Sequence, residues 1–522
     1  MTRVCRTATI ALTGLSGSAV YVEAAVNQQL PGMAIIGLPD AALAEAKLRV
    51  RTAATQSGLS LSSRFITVNL APAALPKHGT GFDLAIALSV LSASGHLPSS
   101  QLETTAHFGE LGLDGTLRRP NGLLSAVLAA RDLGFRQVMV PSASFSEAQL
   151  IPDIEVIAVP DLRSAVAWHH GDQVSQCFTP PTPPRSLRLL PDATNPHALD
   201  MAEVTGQADA IEALVVAAAG RHHLAMVGPP GAGKTLLATR LPSLLPDLSG
   251  QESLMASSIA SLGGTPVFEL VTRPPFESPH HTATSSSLVG GGQSAVPRIG
   301  AITRACYGVL FLDEAPEFKK DVLEALRQPL ESGSIEIHRA NMRTTFPART
   351  QLVLAANPCP CGKAGSPETA LQCECTPQIR RRYLRKLSGP LADRIDLQLS
   401  VRRVSTVARP ATVGLGVVAE HSSAALREKV TLARERSAHR LRETPWRVNA
   451  DVPGDWLRGL TLRLPSEETA VLDQALRRGS ITMRGYDRVL RLAWTVSDLS
   501  GVERPGRREI AQALSLRSGA FS

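Results

Sequence analysis

One glycine-rich motif constrains the fold of this chain more than any other stretch. The letters GPPGAGKT follow a short apolar run, Leu224–Val227, and precede a segment with the apolar periodicity of a helix, through Leu237 and Leu241. This is the pattern G-x-x-x-x-G-K-[ST] in the strand–loop–helix context that it requires. Glycines allow successive backbone N–H groups to turn toward phosphate oxygens, and the helix N-terminus adds the positive end of its dipole. The sequence therefore predicts a nucleotide site formed by Gly228, Pro229, Pro230, Gly231, Ala232, Gly233, Lys234 and Thr235.

Polar residues at the ends of two further apolar runs complete a predicted hydrolytic site for ATP and Mg²⁺. Lys234 is expected to reach the β- and γ-phosphates, and Thr235 to ligate Mg²⁺ through its hydroxyl. The run GVLFL ends at Asp313 and Glu314, and the carboxyl ends of parallel strands are where α/β proteins hold ligands. Asp313 is expected to hold Mg²⁺, and Glu314 to polarise the attacking water. A later apolar run ends at Asn357, whose amide is expected to orient the same water.

Length and composition limit the remaining possibilities. A chain of 522 residues is too long for one hydrophobic core, so about two to four domains are expected. No stretch approaches the ~18 uninterrupted apolar residues of a membrane helix. Threonine and glycine interrupt the first apolar run, so neither a signal peptide nor a membrane partner is expected, and the predicted location is cytoplasmic. A net charge of +8 is compatible with a nucleic-acid partner but fits a solvated basic surface equally well.

Changes in composition along the chain predict four segments. Residues 1–172 alternate between strand-like and helical patterns, which indicates an α/β or α+β unit. Residues 173–197 are rich in proline and predict an extended linker. Residues 198–405 contain the nucleotide motifs, and residues 406–522 have helical patterns with many Arg and Glu pairs.

A β-hairpin is predicted between the strand that ends at Asp313 and the strand that ends at Asn357. Residues 330–346 alternate between apolar and polar positions around an Arg-Ala-Asn tip, a pattern typical of a hairpin. Arg339 and Arg343 are expected to lie near its end, where they could contact a polyanion.

Two later arginines are candidates for contact with phosphate. Arg394 directly precedes an apolar strand, and after the nucleotide motifs it is placed to reach the nucleotide of a neighbouring subunit. Arg484 and Arg488 share one face of a predicted helix, and Arg484 is expected to sense phosphate. The alternative for each arginine is an ordinary surface charge.

Four of the seven cysteines lie within one short stretch and are a candidate zinc site. The pairs Cys359 and Cys361, and Cys373 and Cys375, provide the four thiols of a tetrahedral structural Zn²⁺ site. The alternative is a reduced loop without metal. The adjacent His280 and His281 would face different ways on regular backbone, so a structural or loop-positioning role is expected for them rather than joint metal binding.

Three motifs in the first segment resemble the proteolytic domain of Lon. They are PKHGTGFD, GELGLDG and NGLLSAVLAA. That family uses a Ser–Lys dyad, and the two positions fall on Gly81 and Ala126. Neither side chain can act as nucleophile or base, so the resemblance implies a Lon-like fold without peptidase activity.

The order of motifs resembles the ComM/YifB group of magnesium-chelatase-like AAA+ ATPases over nearly the whole chain. The matching segments include VNLAPAALPKHGTGFDLAIAL, SPHHTATSSSLVGGG, GVLFLDEAPEF, NPCPCG and SGPLADRIDL. The resemblance implies an α/β fold with a Lon-like first domain, a P-loop AAA+ core of the helix-2-insert clade and an α-helical C-terminal lid. It also implies that Asn357 is sensor 1, Arg394 the arginine finger and Arg484 sensor 2. Residues 290–292 would belong to the insert, and residues 335–341 to a hairpin that faces the pore of a hexamer.

The function implied by this resemblance is ATP-driven remodelling of DNA. In that group, homo-hexamers act as helicases that migrate branched DNA during recombination of incoming strands. Arg339 and Arg343 would then hold the phosphates of single-stranded or branched DNA, independently of sequence. Two alternatives stay open: the motor subunit of a magnesium-chelatase-type complex, and a protein-remodelling ATPase. The ligand that stimulates ATP hydrolysis would distinguish the three.

Overall fold

The computed structural model describes residues 4–27, 30–37, 41–61, 64–172, 196–291, 298–339, 342–365, 370–387, 391–404 and 421–517. Nearly all of the predicted linker 173–197 lies outside these ranges, as do the hairpin tip at 340–341 and residues 405–420. Among the described residues, no helix is long and apolar enough to cross a membrane.

The first described segment, up to residue 172, is built around one mixed sheet of seven strands. The sheet order is β3-β4-β2-β1-β5-β8-β9, and β1 and β2 pair antiparallel at its centre. Strands β2 and β4 alternate between buried and partly exposed residues because one face packs on helices. The strands of this sheet are β1 (Val4–Thr13), β2 (Ser16–Asn27), β3 (Gly32–Ile36), β4 (Phe65–Ala71), β5 (Thr105–His107), β8 (Gln137–Pro141) and β9 (Glu155–Val159), and a separate two-stranded sheet contains β6 (Glu110–Leu111) and β7 (Leu117–Arg118). The helices are α1 (Ala41–Gln56), α2 (Asp83–Ala93), α3 (Leu123–Asp132), α4 (Phe145–Ala148) and α5 (Leu162–His169).

The second segment, residues 196–404, contains a parallel sheet of five strands in the order β11-β14-β17-β10-β18. Its three central strands are buried at every position, which explains their continuous apolar runs. The strands are β10 (Leu224–Val227), β11 (Phe276–Glu277), β12 (Gly290–Gly291), β13 (Arg298–Ile299), β14 (Val309–Leu312), β15 (Ser334–Arg339), β16 (Met342–Pro347), β17 (Gln351–Ala356) and β18 (Leu397–Ser400). The helices are α6 (Ala208–Gly220), α7 (Lys234–Leu244), α8 (Gly250–Leu262), α9 (Ser285–Val289), α10 (Ala301–Arg304), α11 (Lys320–Ala325), α12 (Arg327–Ser332) and α13 (Pro377–Leu384).

Two small hairpins extend from this segment. Strands β15 and β16 pair antiparallel with His338 opposite Arg343, which confirms the predicted hairpin. Strands β12 and β13 form the second hairpin. A Cβ built on Gly290 would lie 3.5 Å from Cδ1 of Ile337, so the two hairpins are direct neighbours.

The third segment, residues 421–517, is helical, as expected. Its helices are α14 (Ser423–Arg440), α15 (Gly454–Leu457), α16 (Ser466–Arg477), α17 (Met483–Ser500) and α18 (Arg507–Arg517). Buried side chains of α6 and β10 share one hydrophobic core with Leu490 and Trp494 of α17. Arg434 of α14 also donates to the carbonyl of Ala218 at 2.7 Å. The helical segment is therefore packed on the parallel sheet.

The first segment contacts the second at two places. At the start of α3, the backbone N–H of Gly122 donates to the carbonyl of Ser261 at 3.1 Å, and that of Leu124 donates to the Ser261 hydroxyl at 3.2 Å. In the turn between β1 and β2, a Cβ on Gly14 would lie 3.3 Å from Cε1 of Phe346. The first segment therefore contacts both α8 and the base of the β15–β16 hairpin.

Candidate nucleotide site

The P-loop cleft, about 400 Å³ in volume, lies at the carboxyl end of β10 and is lined by residues 230–236, Asp313, Glu314, Ala356 and Asn357. Gly231 and Gly233 adopt φ angles of 76° and 88°, which L side chains rarely adopt. The loop therefore needs glycine at these two positions. Because β10 is hydrogen-bonded to β17 and β17 to β14, the ends of all three strands meet at this cleft.

Lys234 begins α7 and points back into the loop. Its Nζ donates to the carbonyls of Gly228 at 2.7 Å and Pro229 at 3.0 Å, and to Oδ1 of Asn357 at 3.1 Å. Burial lowers the pKa of Lys234, while Asp313 and Glu314 oppose that shift. The ammonium is thus held between the phosphate loop and the end of β17.

The two residues expected to hold Mg²⁺ are hydrogen-bonded to each other. Oγ1 of Thr235 donates to Oδ2 of Asp313 at 2.7 Å. The other carboxylate oxygen of Asp313 accepts from the backbone N–H of Glu314 at 2.8 Å. A hydroxyl and a carboxylate oxygen are hard ligands of the kind that Mg²⁺ prefers, so this pair fits the ion.

Glu314 has a histidine neighbour whose specific contact the sequence did not reveal. Its carboxylate lies 3.7 Å from Nδ1 of His281, and its φ of 48° is in the left-handed region. The rings of His280 and His281 have centroids only 4.1 Å apart, so the expectation that they face different ways was wrong. Residues 278–284 are neither helix nor strand, so the alternation of regular backbone does not apply to them. The sequence signal that could have indicated this neighbour of Glu314 was the pair of histidines in the motif SPHHT.

Arg394 and Arg484 lie near each other but not in the P-loop cleft. Arg394 is 7% exposed and forms an ion pair with Glu331 of its own chain. Arg484 is exposed, and its guanidinium lies 3.9 Å from the carboxylate of Asp393. Neither arginine is among the described residues that line the cleft. The nucleotide pocket within one chain is therefore built without them.

Arg488, which shares a helix face with Arg484, has a buried partner that sequence reasoning missed. It forms an ion pair with Asp396 and donates to the carbonyl of Arg394 at 3.0 Å. Burial alone would raise the pKa of Asp396, but Arg488 and His222 outweigh it and hold that pKa well below its usual value. Arg488 thus connects α17 to the turn that carries Arg394.

The described part of the β15–β16 hairpin has a mixed charge. Arg343 is exposed and lies 2.8 Å from the carboxylate of Glu336, which also lies 3.2 Å from His338. The backbone of Arg339 is described as the last residue of β15, but its side chain lies outside the described part. Arg343 is therefore the predicted DNA-contacting side chain whose surroundings are known.

The four clustered cysteines converge on one point. The sulfurs of Cys359, Cys361, Cys373 and Cys375 all lie within 4.8 Å of one another. A backbone N–H from Lys363 lowers the pKa of Cys361 to about 6, whereas burial raises the pKa of Cys359 to about 12. A Cβ built on Gly362 would lie 2.6 Å from Cγ of Pro230, so the cysteine loop packs directly on the phosphate loop. Four thiols in this arrangement suit Zn²⁺.

The two positions that the resemblance to Lon assigns to a dyad, Gly81 and Ala126, lie close to packed side chains. A Cβ built on Gly81 would come closer than 3.0 Å to the ring of Phe108, so a serine there would require the ring to move. Ala126 is buried. The nearby Lys77 is fully buried, and its Nζ donates to the carbonyls of Gly37 at 3.1 Å and Leu70 at 2.9 Å.

Comparison with known proteins places the whole chain in one family. Models of "Magnesium chelatase, subunit ChlI", "Subunit ChlI of Mg-chelatase" and "Magnesium chelatase, subunit ChlI C-terminal" match residues 200–408, 22–144 and 420–517. An uncharacterised protein of Mycobacterium tuberculosis is 45% identical over 98% of this chain and 98% of its own length. Competence protein ComM of Haemophilus influenzae is 37% identical over 97% of this chain and 96% of its own length. Protein YifB of Escherichia coli is 36% identical over 98% and 96%. The chain therefore belongs to the ComM/YifB family of magnesium-chelatase-like AAA+ ATPases.

Proposed function

We propose that this chain hydrolyses ATP with Mg²⁺ as a homo-hexameric helicase that migrates branches in DNA during recombination of incoming strands. One observation carries the proposal: Lys234, Thr235, Asp313, Glu314 and Asn357 converge on one cleft. The two arginines predicted to contact phosphate lie on another part of the same chain.

Each residue in the cleft has a separate role in this proposal. Lys234 exchanges its contacts with the loop carbonyls for the β- and γ-phosphate oxygens. Thr235 and Asp313 would hold Mg²⁺, which neutralises phosphate charge when bound. Glu314 accepts a proton from the attacking water. At the same time the water oxygen forms a bond to the γ-phosphorus, and the bond between the γ-phosphorus and the β-phosphate oxygen breaks. Asn357 orients that water.

Arg394 and Arg484 would complete the site of a neighbouring subunit. Positive charge supplied to the γ-phosphate during its transfer stabilises the transition state. Because neither residue lines the cleft of its own chain, a closed ring in which each subunit serves the next would supply this charge. A hexamer is the ring size that the family resemblance implies.

DNA is the proposed substrate because of the hairpins and the relatives. Arg343 projects from an exposed hairpin beside a second, glycine-containing hairpin, and Arg339 lies at the end of the same strand. The name of the Haemophilus influenzae relative ties that protein to competence. The alternative, a motor subunit of a chelatase complex, is favoured by the names of the matching family models.

The test is the steady-state ATPase rate of the full chain with and without a four-way DNA junction, at low and high salt. Stimulation that falls with salt and disappears in Lys234→Ala is expected. Arg343→Ala should weaken the stimulation while leaving the basal rate unchanged. A rate that no DNA changes would contradict the DNA proposal, and stimulation by chelatase partner subunits would favour the alternative.

We further propose the domain limits 1–172, 198–405 and 406–522, with a Lon-like first domain without peptidase activity and a helix-2 insert at residues 290–292. The contact of Gly81 with Phe108 supports the loss of peptidase activity. A structural Zn²⁺ held by Cys359, Cys361, Cys373 and Cys375 is proposed on the convergence of their sulfurs. Measurement of one bound zinc per chain, lost in Cys373→Ser/Cys375→Ser, would test it.

A further inference from the structure

A basic groove lies between α11 and α13, apart from the hairpins. It has a volume of about 550 Å³. Six of its lining residues are basic, and these six side chains define the basic groove: Lys319, Lys320, Arg327, Arg382, Arg385 and Lys386.

Acidic residues compensate only part of this charge. Glu317 and Glu324 are the carboxylates among the described residues that line the groove, so six cations face two anions. Lys320 and Glu324 form an ion pair of 3.5 Å, with both side chains largely exposed. Such pairs are weak in water and are easily exchanged. The groove therefore carries an excess of four positive charges at neutral pH.

The groove has a rigid floor. Phe318, Leu323 and Leu391 line it and are nearly completely buried. Helix α13 starts at a defined point, because the hydroxyl of Thr376 accepts from the N–H of Ile379 at 3.3 Å and proline occupies the first turn. Arg380 donates to the carbonyl of Cys375 at 3.1 Å, which ties the helix to the cysteine loop. The cations are thus presented on fixed backbone.

The groove is also connected to the nucleotide site. Nζ of Lys386 donates to the carbonyl of Pro316 at 2.8 Å. Pro316 lies two residues beyond Glu314, in the turn after β14. One wall of the groove is therefore hydrogen-bonded to the same turn that carries the carboxylate proposed for hydrolysis.

We propose that the basic groove binds the sugar–phosphate backbone of a duplex DNA arm, as a second DNA contact distinct from the β15–β16 hairpin. This inference rests on the proposed DNA function. A group of cations with few carboxylates suits a polyanion, and backbone contacts of this kind position DNA without reading its sequence. Arg382 and Arg385, three residues apart at the end of α13, would hold neighbouring phosphates.

The experiment measures binding of a fluorescent four-way junction and of a single strand to the full chain at several salt concentrations. The variant is Arg382→Ala/Arg385→Ala. Arg477→Ala/Arg478→Ala is the matched control, since those two adjacent arginines are also exposed. The groove variant should bind the junction about tenfold more weakly, and the slope of log K against log salt should fall by about two, one for each arginine–phosphate pair removed. Single-strand binding should change less.

A second variant changes the opposite wall of the groove: Lys319→Ala/Lys320→Ala. It should weaken junction binding in the same way, which would exclude a folding defect confined to α13 as the cause. If wild-type protein binds no DNA, the proposed function and the groove both fail. If wild-type protein binds the junction but both groove variants match the control, the groove proposal alone is overturned. The groove variants could instead fail to form the oligomer, as measured by its mass, while the assembled rings keep the wild-type affinity for DNA. That result would identify the groove as a contact between subunits and would also overturn the groove proposal.

Discussion

Glu314 is held in an uncommon backbone conformation, with its carboxylate 3.7 Å from His281. A residue at φ of 48° persists only where its surroundings stabilise it. The loop that carries His281 leads through α9 to the β12–β13 hairpin, which in turn lies against Ile337 of the β15–β16 hairpin. The segment that carries His281 therefore connects the carboxylate proposed for hydrolysis with the two hairpins.

His281→Ala should lower kcat of the ATPase about tenfold with little change in KM for ATP, because the ring contacts Glu314, which is proposed to act in the chemical step rather than in binding. His281→Gln, which keeps a hydrogen-bond donor, should recover part of the rate. His439→Ala is the matched control, since His439 is exposed and is not among the described residues that line the cleft. A rise in KM without a fall in kcat would contradict this role.

At the scale of elements, Gly81 and Phe108 show how closely the loop before α2 approaches the residue that follows β5. Gly81→Ser should destabilise the protein by about 1–3 kcal/mol, since the added side chain overlaps with a packed ring. It should not create peptidase activity, since Ala126 supplies no base. Urea unfolding and a peptide-cleavage assay measure the two outcomes. Gly250→Ser is the control, because a Cβ there has nothing within 4 Å.

Much of the fold was predictable because its signals are local. The central strands of the second sheet are buried on both faces, so β14 and β17 appear in the sequence as continuous apolar runs. Strand β1 was not predicted, because threonine and arginine interrupt its apolar positions and its burial depends on β2 and β5. Pairings between distant residues left no local signal either. Examples are Arg394 with Glu331 and Arg488 with Asp396.

The sequence predicted that the four cysteines would form one cluster, because two C-x-C pairs are visible in it. The contact of their loop with the phosphate loop, through Gly362 and Pro230, was not predicted. That contact joins two segments more than 100 residues apart and depends on β10 and β17 lying side by side.

For the molecule as a whole, buried neutral histidines predict instability in acid. Burial lowers the pKa of His107 to about 3, of His169 to about 4 and of His223 to about 4, from an ordinary 6.5. Above pH 6.5 the folded and unfolded chains are both neutral at these sites. Below it, the unfolded chain takes up protons that the folded chain does not, so stability falls as pH decreases toward about 4.

His107→Gln should make the dependence of unfolding free energy on pH shallower by about 1.4 kcal/mol per pH unit over this window. Urea unfolding at a series of pH values measures the slope. His439→Gln, at an exposed position, is the control. An unchanged slope in His107→Gln would show that His107 takes up its proton over the same pH range in the folded and unfolded chains, and would contradict the lowered pKa.

The separation of Arg394 and Arg484 from the cleft of their own chain has a genetic consequence. If one chain supplies the phosphate loop and the next supplies the arginines, Lys234→Ala and Arg394→Ala damage opposite sides of the same boundary. Two chains that are each inactive alone should then restore one another when mixed, because some boundaries receive both intact halves. Expression of either variant in excess over the wild-type chain should also inactivate the mixed rings. Loss of function through either of these two substitutions would therefore behave as a dominant trait.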